Sequence, residues 1–258
     1  MLSEWLTPTA PGECSAVFVL AHPDDEFFCM PLITAEVLGG RTVQVVYLTD
    51  GGPLASTRER ESLKVLGDVG VGADFVRFAG REHGWRDGHL HEKVGEVRDW
   101  LATWLAESPT CARLYVPAWE GGHHDHDCCF GVVASLLRDG RVGNALCLQF
   151  PLYNGEGLRG PLFRCMRPLR SNGEEFALRF SVAHAVQYLK TARAYPSQWR
   201  SWVALGPASA WAYLVRRSIV VQRVKPARLH QPPHAGVAFF ERRFGVRVEE
   251  VLEALRRL

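Results

Sequence analysis

The chain has 258 residues, 47% of them hydrophobic and 22% charged, with a formal net charge of +2. That length and apolar content are enough for one large α/β domain and exclude a disordered chain. The near-neutral balance excludes a dedicated polyanion binder, so no nucleic-acid partner is expected.

The N-terminal stretch carries Glu4, Pro8 and Pro11 and has no basic region ahead of its first apolar run, so it does not read as a secretory signal. No segment approaches the roughly 18 apolar residues of a membrane span. Seven cysteines (Cys14, Cys29, Cys111, Cys128, Cys129, Cys147 and Cys165) form an odd set without a C-x-x-C pair. This usage fits a reduced, cytoplasmic protein.

Residues 15–20 (SAVFVL) form a near-continuous apolar run, as expected of a strand buried on both faces. Residues 42–48, 75–78, 114–116 and 145–150 repeat the type. Helical patterns lie between them at 26–38, 58–66, 90–105 and 125–137. The third has the clearest spacing, with Leu90, Val94, Val97, Leu101, Trp104 and Leu105 on one side. Strand–helix alternation of this kind predicts right-handed βαβ units and a Rossmann-like, three-layer α/β fold with a mainly parallel sheet. After Pro151 the pattern changes to a glycine-rich passage, a strand at 176–180 and a helix at 182–194. An aromatic stretch at 197–217 resists assignment, and a terminal helix is expected at 248–258. The expectation is one domain over 1–258: a parallel core to residue 150 and a region at 151–258 that walls its pocket.

Two clusters carry chemistry. His22-Pro23-Asp24-Asp25-Glu26 follows the first predicted strand and opens a helix, supplying an imidazole and carboxylates suited to a borderline metal such as zinc. Taken alone, Asp24 or Asp25 equally suits a helix cap. Gly121-Gly122-His123-His124-Asp125-His126-Asp127 stands in the same position after the fourth strand. In a doubly wound sheet, the loops after strands 1 and 4 meet where the strand order reverses. Convergence of two His/Asp loops in one crevice marks a metal or catalytic site.

AHPDDE after the first strand, with a later H-x-D-H motif before a helix, resembles the LmbE/PIG-L family of zinc-dependent N-deacetylases. The resemblance covers residues 15–140 well. It extends loosely to Arg58-x-x-Glu61, Asp87-Gly88, the stretch from Lys190 to Gln198 and Phe240-Glu241-Arg242. It implies Zn2+ held by His22, Asp25 and His126, with Asp24 as general base toward the metal's water. His123 would stabilise the oxyanion or protonate the departing amine. Asp125 would orient a neighbouring ligand, and Arg58 and Asp87 would touch sugar hydroxyls. His124 departs from the family's usual proline, and Gly121 from an aromatic that some members have there.

The implied activity is removal of an N-acetyl group from a small amino-sugar or glycoconjugate substrate. Two alternatives stand beside it: an amidase for a larger N-acyl conjugate, and a metal-dependent carbohydrate-binding protein without turnover. Elsewhere, Thr49-Asp50-Gly51-Gly52 reads as a turn. His83, His89 and His91 read as either pocket rim or surface. His234 or a neighbour has some prospect of approaching the metal. Trp199, Trp202 and Trp211 read as core, with a sugar-stacking wall as the alternative. Cys128 and Cys129 read as small apolar fillers, and Arg216-Arg217 as solvated surface.

Overall fold

The computed structural model of the protein describes residues 15–108 and 110–258; the N-terminal segment with Cys14, judged above from sequence, lies outside the described residues. In chain order the elements are β1 (Ser15–Leu20), α1 (Glu26–Leu38), β2 (Thr42–Tyr47), α2 (Ala55–Asp68), β3 (Val76–Arg77), α3 (Ala79–His83) and α4 (Val94–Glu107). They continue with β4 (Cys111–Pro117), α5 (His124–Arg138), β5 (Leu146–Phe150) and the short pair β6 (Tyr153–Asn154) and β7 (Arg164–Cys165). Last come β8 (Phe176–Arg179), α6 (Val182–Thr191), α7 (Trp199–Trp211), β9 (Ser218–Arg223), α8 (Phe239–Phe244) and α9 (Val248–Arg256).

Seven strands form one sheet in the order β3-β2-β1-β4-β5-β9-β8. The first five are parallel, while β9 pairs antiparallel with both β5 and β8. This is the α/β three-layer architecture expected from the sequence. The reversal of strand order falls at β1, which pairs with β2 on one side and β4 on the other. The period of two along β1 feeds two cores. Val17 and Val19 pack with residues of α4, α5 and α9. Ala16, Phe18 and Leu20 pack with α1, α2 and the C-terminal helices on the opposite face. Every residue of β1 is at most 1% exposed, which explains its unbroken apolar run.

Four departures from the sequence-derived elements have local causes. The strand expected at 75–78 shrinks to two residues at the sheet edge, where a 3₁₀ turn takes Ala73–Phe75. The helix expected from residue 90 starts at Val94, because the backbone N–H of Leu90 is drawn to the Asp125 carboxylate at 3.0 Å. The aromatic stretch resolves into α7, followed by one turn of π-helix over Ala212–Arg216. Strand β9 had no counterpart in the sequence reading; it joins the C-terminal region to the parallel core. Among the described residues, no helix is long and apolar enough to cross a membrane.

Candidate active site

The loops after β1 and β4 meet at the carboxyl end of the sheet, as the strand order requires. Asp25 occupies the N-cap position of α1 but makes no side-chain cap bond. Its Oδ2 instead accepts from the backbone N–H groups of Ala21 at 3.0 Å and His22 at 2.8 Å. The carboxylate is thereby turned into the crevice, and its Oδ1 lies 3.0 Å from His126 Nε2. His22 Nδ1 lies 3.2 Å from His126 Nε2 and 3.6 Å from Asp25 Oδ2.

A tetrahedral ion with ligand bonds of about 2.0–2.1 Å separates its donor atoms by roughly 3.3–3.4 Å. The triangle of two imidazole nitrogens and a carboxylate therefore fits zinc in both size and donor type. Three protein donors also leave a fourth position for water or substrate. His22, Asp25 and His126 are all at most 6% exposed. Within the Asp25 carboxyl, burial opposes ionisation, but His126 and His22 hold it well below the usual range.

The remaining residues close around that triangle. Asp125 is fully buried and shares its oxygens among His22 Nε2 (3.1 Å), Gly88 N–H (2.6 Å) and Leu90 N–H (3.0 Å). It thus fixes the His22 ring and anchors the 88–90 loop. The carboxylate behind a ligating histidine sets both its tautomer and its orientation. The His123 Nδ1 accepts from the backbone N–H of Asp125 at 3.1 Å. Burial, reinforced by the neighbouring His22, holds His123 well below the ordinary histidine range. A neutral ring whose Nδ1 accepts must carry its proton on Nε2, so the free nitrogen is a donor.

Asp24 has φ = 125°, a left-handed-side backbone that non-glycine residues seldom adopt. Its backbone N–H is held by the Glu26 carboxylate at 2.9 Å, and Glu26 is held in turn by Tyr195 Oη at 2.7 Å. The Asp24 carboxyl is pushed up to about 7, chiefly by burial and further by Asp25 and Glu26, with Arg58 and His22 opposing.

Arg58 and Asp87 belong to the same cluster. The guanidinium donates to Pro23 O (3.1 and 2.9 Å), Gly51 O (3.1 Å), Asp87 Oδ2 (3.1 Å) and Asp24 Oδ1 (3.2 Å). Those five bonds use all five of its N–H groups, so Arg58 has none left for a sugar hydroxyl. It braces Asp24 and Asp87. Asp87 also faces His22 Nε2 at 3.3 Å, and despite burial His22 and Arg58 hold its carboxyl below the usual range. His124 Nε2 meets Gly88 O at 2.7 Å, so the residue that replaces the family's proline pins the Asp87-Gly88 loop.

A cavity of about 250 Å3 opens over the triangle, lined also by Tyr153, Gln198, Trp202 and Phe244. Sequence reasoning missed Tyr153 and Phe244, because their only signal is a tertiary contact, and it placed Glu26 in the first cluster without a role of its own. Gly122 allows one of those contacts: a Cβ there would sit 1.9 Å from Tyr153 O.

Of the other sequence candidates, Gly51 and Gly52 form the expected turn, with Asp50 accepting from Gly52 N–H and Asp87 N–H. His83, His89, His91 and His234 do not line the cavity. The core reading of the tryptophans fails for Trp199 and Trp211, which are 60% and 57% exposed, whereas Trp202 is a cavity wall. Cys128 and Cys129 are buried fillers within α5.

The sequence model of the family described as PIG-L, GlcNAc-PI de-N-acetylase, matches residues 17–137. The chain carries a PIG-L family domain. That domain spans β1 to α5 and so includes both His/Asp loops. No curated protein matches the chain in sequence.

Among solved structures, one similar to it is N,N'-diacetylchitobiose deacetylase from Pyrococcus horikoshii, with a TM-score of 0.59 and 19% identity over 91% of this chain and 94% of that one. Another is a deacetylase of the teicoplanin biosynthetic pathway, with a TM-score of 0.59 and 15% identity over 81% and 97%. A zinc-inhibited form of teicoplanin deacetylase gives a TM-score of 0.57 and 14% identity over 81% and 98%. At these identities the likeness is one of fold, and it extends beyond the PIG-L domain into the C-terminal region.

Proposed function

We propose that the protein is a zinc-dependent N-deacetylase that hydrolyses the N-acetyl group of an amino sugar or glycoconjugate. The observation that carries this reading is the triangle of His22, Asp25 and His126 with Asp24 and His123 beside it. The family match and the names of the similar structures point to the same chemistry. Zinc, when bound at the triangle, polarises the amide carbonyl and lowers the pKa of water toward about 7.

The chain's own residues supply the rest. Asp24, braced by Arg58, takes the proton from the attacking water. The Nε2–H of His123 donates to the carbonyl oxygen as negative charge develops there. Amide cleavage then requires a proton on the departing nitrogen, and the proton gathered at Asp24 is the nearest source. Asp125 keeps His22 oriented throughout. The sheet that runs from β3 to β8 through β9 supports reading the described residues as one domain, with the C-terminal region walling the cavity.

The test is acetate release from N-acetylglucosaminides, measured beside a panel of longer N-acyl chains and with zinc content determined in parallel. We expect acetyl substrates to be cleaved, Asp24→Asn to keep zinc and lose turnover, and His126→Ala to lose both. Preference for longer acyl groups would favour the broader amidase. Stoichiometric zinc with no amide cleaved would favour a carbohydrate-binding protein.

A further inference from the structure

Helix α7 forms part of the cavity wall through Ser201, Trp202 and Leu205, yet its other side is apolar and uncovered. Trp199, Val203, Pro207, Trp211 and Val215 recur at every fourth position through α7 and its π-helical extension. Residues four apart share one face of a helix. Trp199, Val203, Trp211 and Val215 are 60%, 71%, 57% and 59% exposed. At about 1.5 Å per residue the stripe runs roughly 24 Å. Val182 and Val186 of α6 and Leu214 are exposed as well. Seven of the thirteen large hydrophobic side chains exposed among the described residues therefore fall between positions 181 and 217.

The charge of this segment is equally one-sided. Residues 181–217 contain Lys190, Arg193, Arg200, Arg216 and Arg217 and no aspartate or glutamate, in a chain with 28 acidic residues. Next to Trp211 a cavity of about 850 Å3 is lined by Arg164, Arg167, Arg170 and Arg216, with Glu156 and Glu175 the two acids in its wall. Arg216 is held by Cys165 O and Met166 O, and Arg164 reaches Glu156 at 3.4 Å. The side chains of Arg167 and Arg170 have no hydrogen-bond or ion-pair partner among the described residues. Four arginines against two acids leave the wall with an excess of positive charge that an anion would relieve.

We propose that α7 and its extension are a docking face for an anionic lipid surface. Exposed tryptophans with valines on one side of a helix, flanked by Arg200, Arg216 and Arg217, are the pattern of a helix lying in the bilayer interface. The arginines match anionic headgroups, whose attraction for basic side chains acts within a Debye length. Self-association of this face sets arginines against arginines with no acid from residues 181–217 to meet them, so charge complementarity selects lipid over a second copy. The cavity over His22, Asp25 and His126 then opens beside the membrane along the same helix. The docking claim goes beyond the deacetylase reading and does not depend on it, because vesicle binding is measured without turnover.

The test is co-sedimentation of the full chain with phosphatidylcholine vesicles, with and without phosphatidylglycerol, across a salt series. Binding is expected to the phosphatidylglycerol vesicles and to weaken with salt. The combined variant Trp199→Ser, Val203→Ser, Val215→Ser should reduce partitioning on the order of tenfold or more. Arg167→Glu with Arg170→Glu should abolish the preference for anionic over neutral vesicles. Circular dichroism of both variants should match that of the parent, since all the positions are exposed. Absence of vesicle binding by the parent chain would overturn the proposal. So would equal binding by the parent and the triple variant, or a dimer in sedimentation velocity that the triple variant dissolves.

Discussion

Replacing Arg58 by methionine distinguishes a brace from a substrate contact. The side chain is 11% exposed and makes five hydrogen bonds, two of them to the carboxylates of Asp24 and Asp87. Methionine retains the apolar stem and deletes every donor. Removing one partner from a buried charge pair costs about 3–5 kcal/mol, because the remaining charge stays desolvated. For a chain of this size each kcal/mol corresponds to roughly 2–4 °C, so Tm should fall by about 6–20 °C.

The kinetic consequence follows from the sign of Arg58's effect on Asp24. Burial already pushes that carboxyl up to about 7, and Arg58 is the leading influence that lowers it. Without Arg58 the carboxyl rises further, so less of the base is ionised at neutral pH and the acidic limb of the kcat profile moves to higher pH. Loss of the bonds to Pro23 O and Asp24 also loosens the base's placement, and a misplacement near 1 Å costs on the order of 100-fold. The assay pairs thermal unfolding with a pH series of acetate release at saturating substrate. A variant with unchanged Tm, unchanged kcat and a raised KM would refute this reasoning and return Arg58 to the role of sugar contact.

Four further outcomes follow from the site. His123→Phe removes the Nε2–H donor while keeping ring bulk, and should lower kcat by about 100- to 1,000-fold with zinc content intact by atomic absorption. Gly122→Val brings a Cβ to 1.9 Å from Tyr153 O; such overpacking costs typically 1–3 kcal/mol and should appear as a lower urea midpoint together with reduced kcat. Stripping metal with a chelator should abolish activity, with recovery on adding zinc, and lower Tm by an amount that grows with the zinc supplied to the control.

Asp127 gives a pH effect of definite sign. Its carboxyl is pushed up to about 8 by burial, with backbone N–H bonds from Glu120 and Gly121 opposing. A folded value above the unfolded one means full stability below about pH 4 and progressive loss as pH rises through 8. Asp127→Asn should therefore flatten the fall in Tm between roughly pH 6 and 8.5; an unchanged slope would assign it to another group.

Much of the fold was legible because its signals are local. Near-continuous apolar runs at 15–20 and 145–150 state burial on both sheet faces, and the alternation with helical periods states the parallel sheet. Both His/Asp loops could be read as well, since each dense cluster follows a strand and the parallel topology brings loops 1 and 4 together. The C-terminal half was harder. Strand β9 pairs antiparallel between β5 and β8, an arrangement that no period in SIVVQR announces. Helix α7 carries apolar residues on both its pocket side and its exposed side, so periodicity could not tell wall from surface.

The sequence by itself determined the α/β class, the two loops that converge and the donor set suited to zinc, because these depend on residue type and spacing along the chain. Tertiary structure alone decided the division of labour. Asp25 turns away from its helix cap toward His126, and His123 presents Nε2 because its Nδ1 is taken by a backbone N–H. Arg58 spends all of its donors inside the protein, and Trp199 and Trp211 face outward. Each of these outcomes turns on which groups compete for one hydrogen bond or one patch of surface, and that competition exists only once distant segments have been brought together.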